Sequence, residues 1–141
     1  MLINISVAAL MMVLTTAIHA GGMMLVLQDA RKQRHGLLAW LRKSRLYWVS
    51  CTVLMLFVIA LLEALAWAAA YLVLGALEGL EKALYFSVVT FTTLGYGEIV
   101  LEEKWRLLAS FEAANGINLF GWSTASVLAV VQKLYIKDKS D

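Results

Sequence analysis

Thr93-Leu94-Gly95-Tyr96-Gly97 places two glycines at alternate positions, a threonine before them and an acid, Glu98, after them. That spacing suits one kind of chemistry. A cation crossing a bilayer must lose its water, and backbone carbonyls can replace that water when successive peptides all face inward. Such a strand needs positive or alternating φ at some positions, and glycine adopts these without steric cost. The side chains of Leu94 and Tyr96 then point away and wedge the strand against the surrounding protein, while the Thr93 hydroxyl adds an oxygen at the inner end. A short apolar stretch, Ala83 to Thr92, precedes the motif. As a half-helix it would aim its carbonyl end at the same place, which favours a cation there.

The rest of the chain must hold this strand at membrane depth. Of 141 residues, 62% are hydrophobic, 16% are charged and none is proline. An ordinary soluble domain is closer to half apolar and a quarter charged, so a soluble domain and a disordered chain are both excluded. Three stretches reach the ~20 mainly apolar residues that a membrane helix needs. They run from about residue 2 to 27, from 47 to 77 with one acid, Glu63, and from 107 to 131 with one acid, Glu112. The first has no Lys or Arg ahead of it and is too long for a signal-peptide core, so it is expected to be retained. The apolar part of the segment between the second and third is too short to span. It is expected to be re-entrant, which protein or a water-filled cavity must cover.

Nine of the twelve basic residues lie between the first two spans or in the tail: Arg31, Lys32, Arg34, Arg42, Lys43, Arg45, Lys133, Lys137 and Lys139. That bias predicts a cytoplasmic tail, an N-terminus outside and a pore segment dipping in from outside. Residues 37–48 mix Leu, Trp and Tyr with Arg and Lys. They read as a positive-inside loop with an aromatic anchor or as a helix lying against anionic lipid. A net charge of +2 does not point to nucleic acid, and the single Cys51 cannot form an internal disulfide. No nucleophile–base pair, ligand cluster or phosphate loop stands out, so an enzyme is not expected.

The stretch from Ser87 to Glu98 resembles the pore helix and selectivity filter of the tetrameric potassium channel family, whose unit is two helices and one pore loop. In that family's TVGYG pattern, Leu94 stands for Val and Glu98 for Asp. The resemblance covers roughly residues 47–131. It implies that carbonyls of Thr93, Leu94, Gly95 and Tyr96, with the Thr93 hydroxyl, coordinate potassium as a bound permeant ion. Gly97 closes the filter, and Thr92, Glu98, Tyr85 and Glu112 support it. The stretch Asn115 to Gly121 resembles the family's inner helix, with Gly116 at the hinge and Ile117, Phe120 and Thr124 lining the cavity. Alternatively, Gly116 and Gly121 simply let helices approach closely. One pore loop supplies a quarter of such a filter, so the resemblance implies a homotetramer with fourfold symmetry.

Other residues depart from the pattern. The carboxylate that much of the bacterial family carries on its pore helix is Val89 here. Tyr85 can still donate to Glu98 and tie the outer end of the filter. An acid inside a span needs a partner or a proton. Glu112 is expected to bond behind the filter in the role vacated at Val89, protonated for part of its time. The alternative is a structural acid bonded to a carbonyl or to Asn115. Glu63 reads as an interhelical polar bond. His19 reads as a sensor of internal protons or as a satisfied neutral histidine.

These readings give an all-α membrane protein with three transmembrane helices, a re-entrant pore helix and a filter loop, in a fourfold tetramer. The divisions are an added first helix at 1–27, a basic interfacial segment at 28–46, a pore domain at 47–131 and a tail at 132–141. Within the pore domain, the outer helix is expected at 47–77, the pore helix at 80–92, the filter at 93–97 and the inner helix at 106–131. The expected activity is passive, potassium-selective conduction in the cell (plasma or inner) membrane, with lipid and further copies as partners and no cofactor. A weakly selective cation channel and a non-conducting assembly subunit are the alternatives.

Overall fold

The computed structural model describes residues 1–29 and 45–135. The basic segment at 30–44, much of the interfacial stretch expected at 37–48 and the tail beyond Tyr135 lie outside the described residues. Among the described residues four helices follow one another: α1 (Leu2–Asp29), α2 (Arg45–Val73), α3 (Leu80–Phe91) and α4 (Arg106–Tyr135). At 1.5 Å per residue, the 28, 29 and 30 residues of α1, α2 and α4 give about 42–45 Å, enough to cross a hydrocarbon core of about 30 Å. The 12 residues of α3 reach about 18 Å and cannot. The chain is therefore an all-helical, multi-pass membrane protein, with spans at Leu2–Leu25, Leu46–Val73 and Arg106–Gln132.

The outer helix ends at Val73, short of the expected residue 77, although the apolar run continues through Leu74, Ala76 and Leu77. Gly75 has φ 62. Its N–H donates to the Leu72 carbonyl at 3.0 Å, and the Ala76 N–H donates to the Tyr71 carbonyl at 2.9 Å. This paired closure uses a left-handed glycine to satisfy the last carbonyls, and it stops the helix whatever the hydropathy beyond it.

The core lies where α2, α3 and the first half of α4 meet, around Trp67, Tyr71, Phe86, Phe91 and Leu108. The Tyr71 and Phe86 rings meet edge to face with centroids 5.2 Å apart. The first helix is more than an outer addition to this core. Its buried positions are Asn4, Ala8, Met11, Thr15, His19 and Met23, spaced three or four apart on one face. Three of them are polar, and polar groups in a span must face protein. Asn4 Nδ2 donates to the Lys104 carbonyl at 2.6 Å, and Asn115 Nδ2 donates to Thr15 Oγ1 at 2.7 Å. His19 meets Glu63 of α2. Partner numbers rise together along α1 and α4 and run opposite along α1 and α2. So α1 is parallel to α4 and antiparallel to α2, and its N-terminus shares one end of the bundle with the loop that follows residue 97.

Candidate functional site

The short helix α3 delivers the candidate strand. It ends at Phe91, with Thr92 as its cap at φ −79 and ψ −1. The Thr92 hydroxyl donates to the Val88 carbonyl at 2.7 Å. One acceptor then organises the turn: the Val89 carbonyl takes the N–H of Leu94 at 2.9 Å and that of Gly95 at 3.2 Å. Among the described residues no peptide bond is cis. In a planar trans peptide the C=O lies opposite the N–H. With the N–H groups of Leu94 and Gly95 turned back to α3, the carbonyls of Thr93 and Leu94 face away from it.

The backbone alternates as the sequence required. Positive φ occurs at Thr93 (60), Gly95 (57) and Gly97 (81), and at neither Leu94 nor Tyr96 between them. For Thr93 this is strain, because a β-branched residue rarely adopts φ above zero. Strain of about 1–3 kcal/mol persists only where the surroundings over-determine the conformation, typically at a functional site. The expected wedge residues, Leu94 and Tyr96, are 54% and 64% exposed in the single chain.

Tyr85 donates its hydroxyl hydrogen to Glu98 at 2.7 Å, the tie expected at the outer end. That bond raises the phenol above the ordinary tyrosine range. The tie is therefore complete below the ordinary phenol value of about 10 and is lost as pH rises through the raised value. Tyr85, Phe86, Val89, Tyr96, Glu98 and Arg106 help line a groove of about 200 Å³ behind the strand.

On α4, Glu112, Asn115, Leu119 and Ser126 are buried against the chain's own helices. Ile117, Phe120 and Thr124 are exposed on another face, Ile117 by 61%. Phe120 is the least open of the three, 37% exposed with its ring 5.6 Å from that of Phe91 at the end of α3. Gly116 lies elsewhere: α4 is unbroken through it, and a Cβ there would run into the backbone carbonyl of Phe91. The geometry at Gly116 is close approach, the alternative that the sequence left open. Gly121 has nothing within 4 Å of a Cβ position.

Glu112 is wholly buried. It bonds no residue of the 93–97 strand and does not pair with Asn115. Its Oε2 accepts from the Tyr71 hydroxyl at 2.6 Å, and its Oε1 lies 2.5 Å from Ser87 Oγ in the middle of α3. Sequence reasoning missed Tyr71 and Ser87. The signal was available, since each is a polar residue inside an apolar run and needs a partner.

It also left His19 and Glu63 apart. His19 Nδ1 is 2.9 Å from Glu63 Oε1, both groups are about 1% exposed, and the ring lies 4.9 Å from that of Trp122 on α4. Glu63 Oε2 has no partner among the described residues. Removing one member of a buried pair costs about 3–5 kcal/mol. His19→Ala is expected to destabilise the fold by that order, read as a lower melting temperature in detergent; an unchanged melt would show that the pair contributes no stability.

Residues 57–133, more than half of the chain, match the family model described as "Ion channel". Searches of curated proteins and of solved structures gave no match. The matched stretch holds α3, the alternating strand and the exposed stripe of α4 in the arrangement described above, and the chain belongs to the ion channel family.

Proposed function

We propose that the protein is a potassium-selective channel that conducts passively as a homotetramer. Four copies of residues 93–97 surround one axis, and carbonyls of Thr93, Leu94, Gly95 and Tyr96, with the Thr93 hydroxyl, replace the ion's water. The observation that carries this reading is the double acceptance at Val89, which turns the Thr93 and Leu94 carbonyls away from α3. Exposed Leu94 and Tyr96 fit the same reading, because neighbouring copies would cover them. So does the exposed stripe of Ile117, Phe120 and Thr124, which would line the cavity below the filter. The charge bias supports an orientation with the N-terminus and the filter mouth outside the cell and the tail in the cytoplasm.

Purified protein in liposomes tests the proposal. The expected result is a reversal potential that follows the potassium gradient when sodium is varied, with flux blocked by barium. A reversal potential midway between the two gradients would instead identify a weakly selective cation channel. Absence of flux would identify a non-conducting subunit.

A further inference from the structure

Ser87 sits at a junction whose hydrogens can be counted. Its Oγ lies 2.6 Å from the Ala64 carbonyl oxygen on α2 and 2.5 Å from Glu112 Oε1 on α4. A hydroxyl has one hydrogen to donate, and a carbonyl oxygen can only accept. If Ser87 gives its hydrogen to Ala64, the contact with Oε1 needs a hydrogen from Glu112. If Glu112 is a carboxylate, Ser87 must turn to it, and two bare oxygens then face each other at 2.6 Å. Short contacts alone do not decide, since hydroxyl-to-carboxylate bonds are also short. The Ala64 contact does.

The surroundings agree. Tyr71 from α2 is the only titratable side chain bonded to Glu112 among the described residues. From α3 the partner is Ser87, which is not titratable, and α4 offers no ion pair at this point. No described Lys, Arg or His bonds the acid, so a charge here would lie buried in a span without a counter-ion.

We propose that Glu112 is a positioning residue that works as an uncharged carboxylic acid. It accepts from Tyr71 and donates to Ser87, which donates to Ala64, in one chain that fixes α3 between α2 and α4. This inference rests on reading α3 as the pore helix. The Val89 carbonyl that orients the strand lies two residues beyond Ser87, so the seating of α3 sets the direction of the Thr93 and Leu94 carbonyls. Tyr71 and Ser87 thereby join the residues on which selectivity depends.

Glu112→Gln and Glu112→Ala in the full-length protein separate the possibilities. A glutamine amide donates to Ser87 and accepts from Tyr71, as the neutral acid does. It cannot accept from both, as a carboxylate would. The expected result is a potassium-to-sodium permeability ratio within about twofold of wild type for Glu112→Gln and at least tenfold lower for Glu112→Ala. The infrared difference between wild type and Glu112→Gln should show the loss of a carboxylic-acid C=O band. A Glu112→Gln protein that behaves like the alanine variant or fails to assemble overturns the neutral acid, as does a difference spectrum that shows carboxylate bands. A Glu112→Ala protein with the wild-type ratio overturns the positioning role. Wild type that passes both ions equally would instead sink the potassium-selective reading, and the infrared result would still report the proton on Glu112.

Discussion

Gly95→Ala is expected to lower potassium flux from reconstituted protein by about a hundredfold or more, with the proposed tetramer still assembling. Gly95 has φ 57 and no neighbour within 4 Å of a Cβ, so the penalty in the single chain is conformational. An L residue in the left-handed region is disfavoured by roughly 1–2 kcal/mol. Four copies on one axis, as proposed, would raise this to about 4–8 kcal/mol per assembly. Each 1.4 kcal/mol is a factor of ten in a population. Thr93, next but one, already carries comparable strain at φ 60, and its neighbours must hold that conformation. The expected release of added strain is a flip of the peptides whose carbonyls would face the ion. Potassium flux from liposomes and the elution volume in detergent are the two readings. Wild-type flux from an assembled Gly95→Ala protein would show that the carbonyls here are not the ion's ligands.

Gly116→Ala lowers both stability and selectivity, although alanine is the better helix former. Position 116 lies within the unbroken helix α4, so the substitution gains about 1 kcal/mol of helix propensity. Against this stands the Phe91 carbonyl, which the new methyl group would strike. The obstacle is backbone, so relief requires α3 and α4 to separate. Overpacking of this kind costs about 1–3 kcal/mol, and after the propensity gain the net expectation is a loss of up to about 2 kcal/mol per chain. Phe91 is the last residue of α3, immediately before the cap and the 93–97 strand. The displacement therefore falls where the carbonyls are aimed. Gly121→Ala is the control on the same helix: with nothing within 4 Å, it should leave the melt unchanged or slightly raised. Equal melts and equal permeability ratios for the two alanine variants would remove the contact from the account.

Much of this arrangement follows from residue type and spacing. The three long helices come from runs of Leu, Ala, Val and Met without proline. The alternating strand comes from glycines two apart after a threonine. The bonds that fix how the helices are rotated were harder to read. Asn115 reaches Thr15 across 100 positions, and Glu112 reaches Tyr71 across 41. A list of polar residues inside spans says that each needs a partner. It does not say which, because the pairing depends on the angle at which each helix presents its face. His19 and Glu63 show this: each was noticed separately, and only the antiparallel packing of α1 on α2 brings them together. The end of α2 was missed for another reason. Hydropathy does not fall at Gly75, and the stop is a backbone conformation available to one glycine. At Gly116 the resemblance implied a hinge, with close helix contact as the alternative, and the position of the Phe91 carbonyl reveals the close contact.

The most direct measurement is diffraction from crystals of the detergent-extracted assembly soaked in thallium, whose ion mimics potassium and scatters anomalously. The account predicts a row of anomalous peaks on a fourfold axis, each ringed by main-chain oxygens of residues 93–96 from four chains. Peaks elsewhere, or four strands that do not converge on an axis, would contradict it.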